Sequence, residues 1–402
     1  MKTMAERDAL TGIYNRANFL KETRLLIDRH PETVYVLIRI NINRFRLYNA
    51  FFGLEKGNAL LRTMGNLLAH LSRTEAYTYG RMESDIFCLC EPCDKKRVRE
   101  HIEGLQQSID NISPNYCIEL SFGAYIIDER DIDVEMMYAR AATAERKIAE
   151  NPANHFSLYD QSMSDQIYQQ QLIMNDMQAA IDREEFIVYV QPKYNLIDGL
   201  PFGGEALVRW DHPGKGLISP GQFIPVFEQN GFIAKLDRYM WEKVCQMLHK
   251  WIEQGHDPAP ISVNMSRVSL NNPHLVDVFN DLVTKYNVPP ELMHLELTES
   301  AYMDNPVLMK QTIWELHEAG FVILMDDFGS GYSSLNTLKD INVDILKIDM
   351  KFLPTGEDDT RSEKILASVI RMAGWLGMPV VVEGVETTAQ IQFLQGVGCG
   401  YV

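Results

Sequence analysis

Two rhythms of apolar and polar positions divide the chain near residue 160. Before it, three β-branched, apolar runs read as strands: 34–40, 86–90 after the turn-like Glu83-Ser84-Asp85, and 117–122. The stretches 54–72 and 133–150 carry apolar residues at helical spacing. This mixture predicts an α+β domain over 1–160, a sheet with helices on one face. From 160 the chain reads as helix, with Met163, Ile167, Met174, Met177 and Ile181 forming a heptad-like stripe. This connecting helix, 160–184, either packs one face on the following domain or pairs with another chain. Its spacing suits both.

After 185, short apolar runs alternate with helical patterns. The runs are 187–191, 205–208, 260–264, 294–297, 322–325, 345–348 and 379–382. Repeated strand-then-helix units imply a mostly parallel sheet, and their number over 161–402 suits a closed eight-stranded (β/α)8-like TIM barrel.

Composition narrows the function. A hydrophobic share of 46% with 23% charged residues is a globular balance. Lys and Arg number 38 against 55 Asp and Glu, a net charge of -17, so a nucleic-acid polymer is not the expected partner. An acidic chain that handles a phosphorylated ligand needs a metal or local Arg/Lys to offset repulsion. No uncharged apolar run reaches the length of about 18 residues that reads as a membrane span, and residues 1–8 lack the apolar core of a secretory signal. Six cysteines are too sparse for a disulfide framework and suit a reducing cytoplasm. The expected location is cytoplasmic, alone or as the cytoplasmic part of a larger sensor or membrane protein. Cys88, Cys90, Cys93 and Cys117 could form a zinc site, but the unit Cys90–Cys93 has no second Cys-x-x-Cys to pair with, so they read as small apolar side chains near a strand end.

The polar residues at the strand ends carry the chemistry. Glu205, Asn264, Glu296, Asp326-Asp327, Lys347 and Glu383 each lie in or just beyond a different apolar run. In a barrel those ends converge on one rim. One such acid could cap a helix or join a surface pair; six strands each delivering a carboxylate, amide or ammonium are better explained as a site. Carboxylates packed so closely repel and need compensating cations. Oxygen ligands without His or Cys suit two Mg2+ or Mn2+ ions. With a positioned Lys, this is equipment for phosphoryl transfer. Arg209, four residues after Glu205, is available for a phosphate oxygen.

These residues also carry a resemblance. Glu205-Ala206-Leu207-Val208-Arg209-Trp210 resembles the signature of EAL-domain cyclic-di-GMP phosphodiesterases. Tyr189-Val190-Gln191-Pro192, 219–225, Val263-Asn264-Met265-Ser266, Glu296-Leu297-Thr298-Glu299, 326–335 and Glu383-Gly384-Val385-Glu386 follow in the family's order. The likeness covers 172–402. It implies that Glu205, Asn264, Glu296 and Asp326 hold one metal, with Asp326 bridging to a second beside Asp327 and Asp349. Lys347 would orient or activate the attacking water, and Glu383 would support it. Glu299 would steady the 326–335 loop, while Gln191, Leu207 and Arg209 would contact the dinucleotide. The implied reaction opens cyclic di-GMP to linear pGpG, and the family's first barrel strand runs antiparallel to the rest. The family continues beyond Val402 with a Gln-Gly-aromatic motif, the rest of strand eight and a last helix, so a C-terminally truncated domain is expected, with less certain activity.

Residues 1–160 resemble a GGDEF domain, the diguanylate cyclase module, opening on Asp8-Ala9-Leu10-Thr11-Gly12. Its catalytic parts depart from the family. The signature aligns with Glu83-Ser84-Asp85-Ile86-Phe87 and lacks both glycines, removing the close backbone approach to phosphates. Asn41 stands at the metal-binding Asp and Asn58 at the guanine-reading Asp, although Asn49 matches the other guanine contact. The Arg-x-x-Asp inhibition motif, expected at 74–77, is absent. The expectation is a degenerate, non-cyclising domain that regulates or dimerises, with a homodimer as the assembly and GTP as an open second ligand. The competing expectation is a catalytically silent cyclic-di-GMP receptor or scaffold. A bifunctional enzyme is disfavoured by Asn41, Glu83 and Ser84.

Overall fold

The computed structural model describes residues 6–71, 76–111, 116–150, 154–329, 342–349, 353 and 360–402. Two compact units divide between Gln169 and Gln170, inside the helix Gln161–Asp182. The 74–77 motif position and the 326–335 loop lie partly outside the described residues.

The first unit is a six-stranded sheet: β1 (Tyr14–Asn15), β2 (Tyr35–Ile42), β3 (Thr78–Glu83), β4 (Ile86–Pro92), β5 (Leu120–Ile126) and β6 (Phe156–Leu158). Their order is β1-β3-β4-β2-β5-β6, with β2 antiparallel to both β4 and β5. Helices cover both faces, which corrects the one-sided expectation. Val36, Ile38 and Ile40 pack with Leu60, Leu61, Met64 and Leu68 of the helix Leu54–Leu71. Tyr35 and Leu37, pointing the other way, pack with Phe19, Leu26 and Ile27 of the helix Arg16–Arg29 and with Met137 and Ala141 of the helix Val134–Arg146. The reason lies in β2 itself: an almost unbroken apolar run fits a strand buried on both sides. Cys88 and Cys90 are fully buried in the second of these cores, and Cys117 is exposed.

In the second unit all seven anticipated strands are present: β7 (Phe186–Tyr194), β8 (Pro201–His212), then a short unanticipated β9 (Gly216–Ile218) paired to β8, β10 (Ile261–Asn264), β11 (Met293–Thr298), β12 (Val322–Phe328), β13 (Ile345–Ile348) and β14 (Val380–Val382). β8, β10, β11, β12, β13 and β14 are parallel neighbours in that order, while β7 runs antiparallel to β8. The sheet curls until its edges meet: Tyr401 bridges Val381 on one side and Asn195 on the other, and Tyr194 and Val402 exchange backbone hydrogen bonds of 2.8 and 3.0 Å. This is a (β/α)8-like barrel with a reversed first strand. Apolar residues from β10 to β14 share one core with the helices Ile233–Glu253, Leu275–Lys285 and Pro306–Glu318. Gly204, immediately before Glu205, allows β7 and β8 to close up; a Cβ there would lie 2.5 Å from Val190 Cγ1. Among the described residues no helix is long and apolar enough to cross a membrane.

Candidate active site

Parallel strands in register carry their C-terminal residues to one level, and here that level is acidic. Asn264 pairs with Glu296, and Thr298 with Asp326, across β10, β11 and β12. At the centre stands the Lys347 ammonium, on β13 and 1% exposed. It donates to Glu205 Oε2 at 2.8 Å and Glu296 Oε2 at 2.6 Å. It also lies 3.1 Å from Asp326 Oδ1 and 2.6 Å from Glu383 Oε1. Four carboxylates, three within β8, β11 and β12 and one just after β14, thus converge on one cation. Asn264 Nδ2 donates to the other oxygen of Glu205 at 3.1 Å.

Charge decides the protonation pattern. Burial lowers the tendency of Lys347 to hold its proton, but Glu296, Asp326, Glu205 and Glu383 outweigh it and raise its pKa well above the ordinary value. Burial would likewise raise Glu296; Lys347 and Lys193 overcome this and hold its carboxyl well below the usual range. Asp326 goes the other way: burial pushes it up to about 6, Lys347 opposes, and Glu296, Glu383 and Asp327 reinforce the rise. Burial also raises Glu383. Anionic charge exceeds what Lys347 neutralises.

A cavity of about 610 Å3 opens above this cluster, lined by Gln191, Lys193, Glu205, Leu207, Asp326 and Glu383 among others. Gln191 faces Glu205 across the β7–β8 ladder. Glu299 is buried at the start of a short helix, and its Oε2 accepts from Gly329 N at 3.0 Å, so it clamps the turn that follows Asp326-Asp327. Asp327 is itself in the left-handed region, with φ 55°, and donates its N–H to Asp326 Oδ1 at 2.9 Å. A non-glycine residue held there is strained, a condition that recurs at functional sites. Asp349 is buried just after β13. Arg209 does not line the main cavity. Its guanidinium lies over the Tyr189 ring, 5.6 Å from the centroid, and borders a neighbouring hollow of about 380 Å3 with Leu217, Ser219 and Pro220.

As the side chains stand, no three His, Cys, Asp or Glu among the described residues are grouped to hold a metal ion, because the carboxylates close on Lys347. The donor chemistry nonetheless fits a hard divalent cation: oxygen donors in surplus, with no sulfur or imidazole among them. Sequence reasoning missed Lys193, whose ammonium donates to Glu296 Oε1 and Ser262 Oγ, both at 2.7 Å. The signal was its place two residues after Gln191, on the same side of a strand.

In the first unit the residues around the expected departures are engaged with one another. Asn41 donates its amide to Glu145 Oε1 at 2.9 Å, and Arg39 forms a salt bridge to the same carboxylate. Arg81 donates from Nε to the Ser84 carbonyl at 2.9 Å, tying down the signature turn.

Comparison with known proteins agrees with this architecture. The EAL domain model matches residues 174–402, and the model described as diguanylate cyclase, GGDEF domain, matches 5–155. The bifunctional diguanylate cyclase/cyclic di-GMP phosphodiesterase MucR of Pseudomonas aeruginosa is 29% identical over 412 residues, which cover 98% of this chain and 59% of that protein. The solved PaMucR phosphodiesterase, in complex with c-di-GMP, is 34% identical with a TM-score of 0.53, covering 57% of this chain and 93% of that one. The Vibrio cholerae LapD S helix-GGDEF-EAL structure bound to c-di-GMP covers 100% of this chain and 95% of that one, at 20% identity and a TM-score of 0.55, a likeness of fold. The chain spans half to about three-fifths of the first curated relatives it matches. With strand order, reversed first strand and ordered acidic rim all in agreement, the chain belongs to the EAL-domain family, carrying a GGDEF domain in tandem ahead of it.

Proposed function

We propose that the second domain hydrolyses cyclic di-GMP to linear pGpG. The observation that carries this reading is the convergence of Glu205, Glu296, Asp326 and Glu383 on Lys347 at the mouth of a cavity wide enough for a nucleotide. Surplus buried anionic charge beside a phosphodiester is tolerable only with added cations. In this reading Glu205, Asn264, Glu296 and Asp326 would hold one Mg2+ or Mn2+, and Asp326, Asp327 and Asp349 would hold a second. When bound, the ions supply Lewis acidity toward phosphate and water. Lys347 orients the attacking water, whose oxygen forms the new bond to phosphorus. The bond from phosphorus to the bridging O3′ breaks, O3′ takes a proton, and the ring opens. Glu383 accepts a hydrogen bond from that water. Gln191 and Leu207 line the floor against the dinucleotide, while Arg209 reaches a phosphate or base from the adjoining hollow. Glu299 sets the turn after Asp327.

The first domain, in this reading, does not cyclise GTP: Asn41 and Arg39 are consumed by Glu145, and Arg81 fixes the turn that lacks its glycines. It serves as a regulatory or dimerising module. Incubating the chain with cyclic di-GMP and Mn2+, then separating products, tests the whole. Accumulation of pGpG, with no cyclic di-GMP made from GTP, is the expected result. Tight binding without any linear product would make the protein a receptor instead.

A further inference from the structure

Two lysines are buried among the described residues, and the hydrolase reading employs only Lys347. The other, Lys193, extends from β7 into the barrel interior. Its ammonium donates to Glu296 Oε1 at 2.7 Å and to Ser262 Oγ at 2.7 Å, and Ser262 Oγ in turn donates to the Gly204 carbonyl at 3.2 Å. β7, β10 and β11 are thereby tied to the residue preceding Glu205. Each oxygen of the fully buried Glu296 takes one ammonium: Oε1 from Lys193, Oε2 from Lys347. A buried ammonium is costly, and an apolar side chain of like size would pack this interior position at less expense. What the apolar side chain could not do is occupy one oxygen of Glu296 and leave the other turned toward Glu205 and Asp326.

We propose that Lys193 is a positioning residue for cation binding, fixing Glu296 so that Oε2 alone faces the site. Partners of this kind orient ligating groups elsewhere without touching the metal. The inference rests on the hydrolase reading for the use to which the cation is put, and on the present geometry for the rest.

The test uses the full chain with Mn2+ as probe, titrated by calorimetry, alongside pGpG formation. Lys193→Met should weaken Mn2+ binding about 10-fold or more and lower kcat, with KM for cyclic di-GMP within about twofold. Excess Mn2+ should restore part of the rate. Lys193→Gln, which keeps a donor and loses the charge, should fall between Lys193→Met and the parent, and it carries the measurement if Lys193→Met fails to fold. Ser262→Ala, which leaves the Lys193–Glu296 contact, should change Mn2+ affinity less than about threefold. Parent-like Mn2+ affinity in Lys193→Met or Lys193→Gln overturns the proposal, and a lowered melting temperature with unchanged Mn2+ affinity does so too, by marking the lysine as a packing element. If the parent binds Mn2+ but makes no pGpG, the hydrolase reading falls by itself, and the ratio of Mn2+ affinities still decides the role of Lys193.

Discussion

Each domain sets a basic side chain against acidic ones, and the two arrangements differ in their charge balance. In the first, Arg39 meets Glu145, Asn41 adds an uncharged donor to the same carboxylate, and the Tyr138 hydroxyl accepts from Arg39 Nε at 3.3 Å. One positive group answers one negative group. In the second, Lys347 faces four carboxylates, with Lys193 behind only one of them. A balanced pair is self-sufficient and has no use for a ligand. An anionic surplus is a standing demand for more positive charge. The first enclosure is thus filled by the protein's own charges, and the second keeps more negative than positive groups.

The comparison breaks most visibly if the surplus is removed. Glu205→Ala or Asp326→Ala should lower pGpG formation at least about 1,000-fold, read by chromatography of the products. Next in size, Lys347→Ala should reduce kcat about 100-fold while Mn2+ affinity stays level or rises, because the ammonium that the carboxylates now surround is gone. The same operation on the balanced pair is smaller. Arg39→Met leaves the partly buried Glu145 without its cation and should cost about 2 kcal/mol of stability, read by urea unfolding. Glu299→Ala, which frees the Gly329 amide, should cost about 10-fold in kcat through misplacement of the Asp326-Asp327 turn.

The smallest effect concerns Asp237, buried on the helix Ile233–Glu253, which accepts from Ser266 N at 3.0 Å and Ser269 Oγ at 2.7 Å behind Asn264. Burial raises its carboxyl above the ordinary value, against the pull of those hydrogen bonds. The folded chain therefore holds this proton more tightly than the unfolded one. Its contribution to stability is full below the ordinary carboxylate range and is lost as pH rises through the raised value. Asp237→Asn, neutral throughout and still able to accept from both serines, should gain on the parent as pH rises above the ordinary carboxylate range, by less than about 1 kcal/mol in urea melts.

Much of the architecture was legible because strands and helices have distinct periods. The seven barrel strands and the helix Leu54–Leu71 stood where alternation and helical spacing put them. The acidic rim was legible because parallel strands in register deliver their end residues together. Three things escaped. The two-sided burial of β2 was present in its unbroken apolar run, yet a run alone does not say how many layers cover it. β9 is too short to show a period. Spacing places Lys193 on the same side of β7 as Gln191, but which neighbours it reaches, and the displacement of Arg209 from the main cavity, depend on side-chain direction across strands.

The seam where Tyr194 and Val402 exchange hydrogen bonds joins the first strand of the barrel to its last described residues. A link between such distant points in the chain closes a longer loop than any hairpin, at an entropic cost that grows slowly with length. Amide exchange at those two positions would time the opening and closing of the whole enclosure, independently of any chemistry inside it.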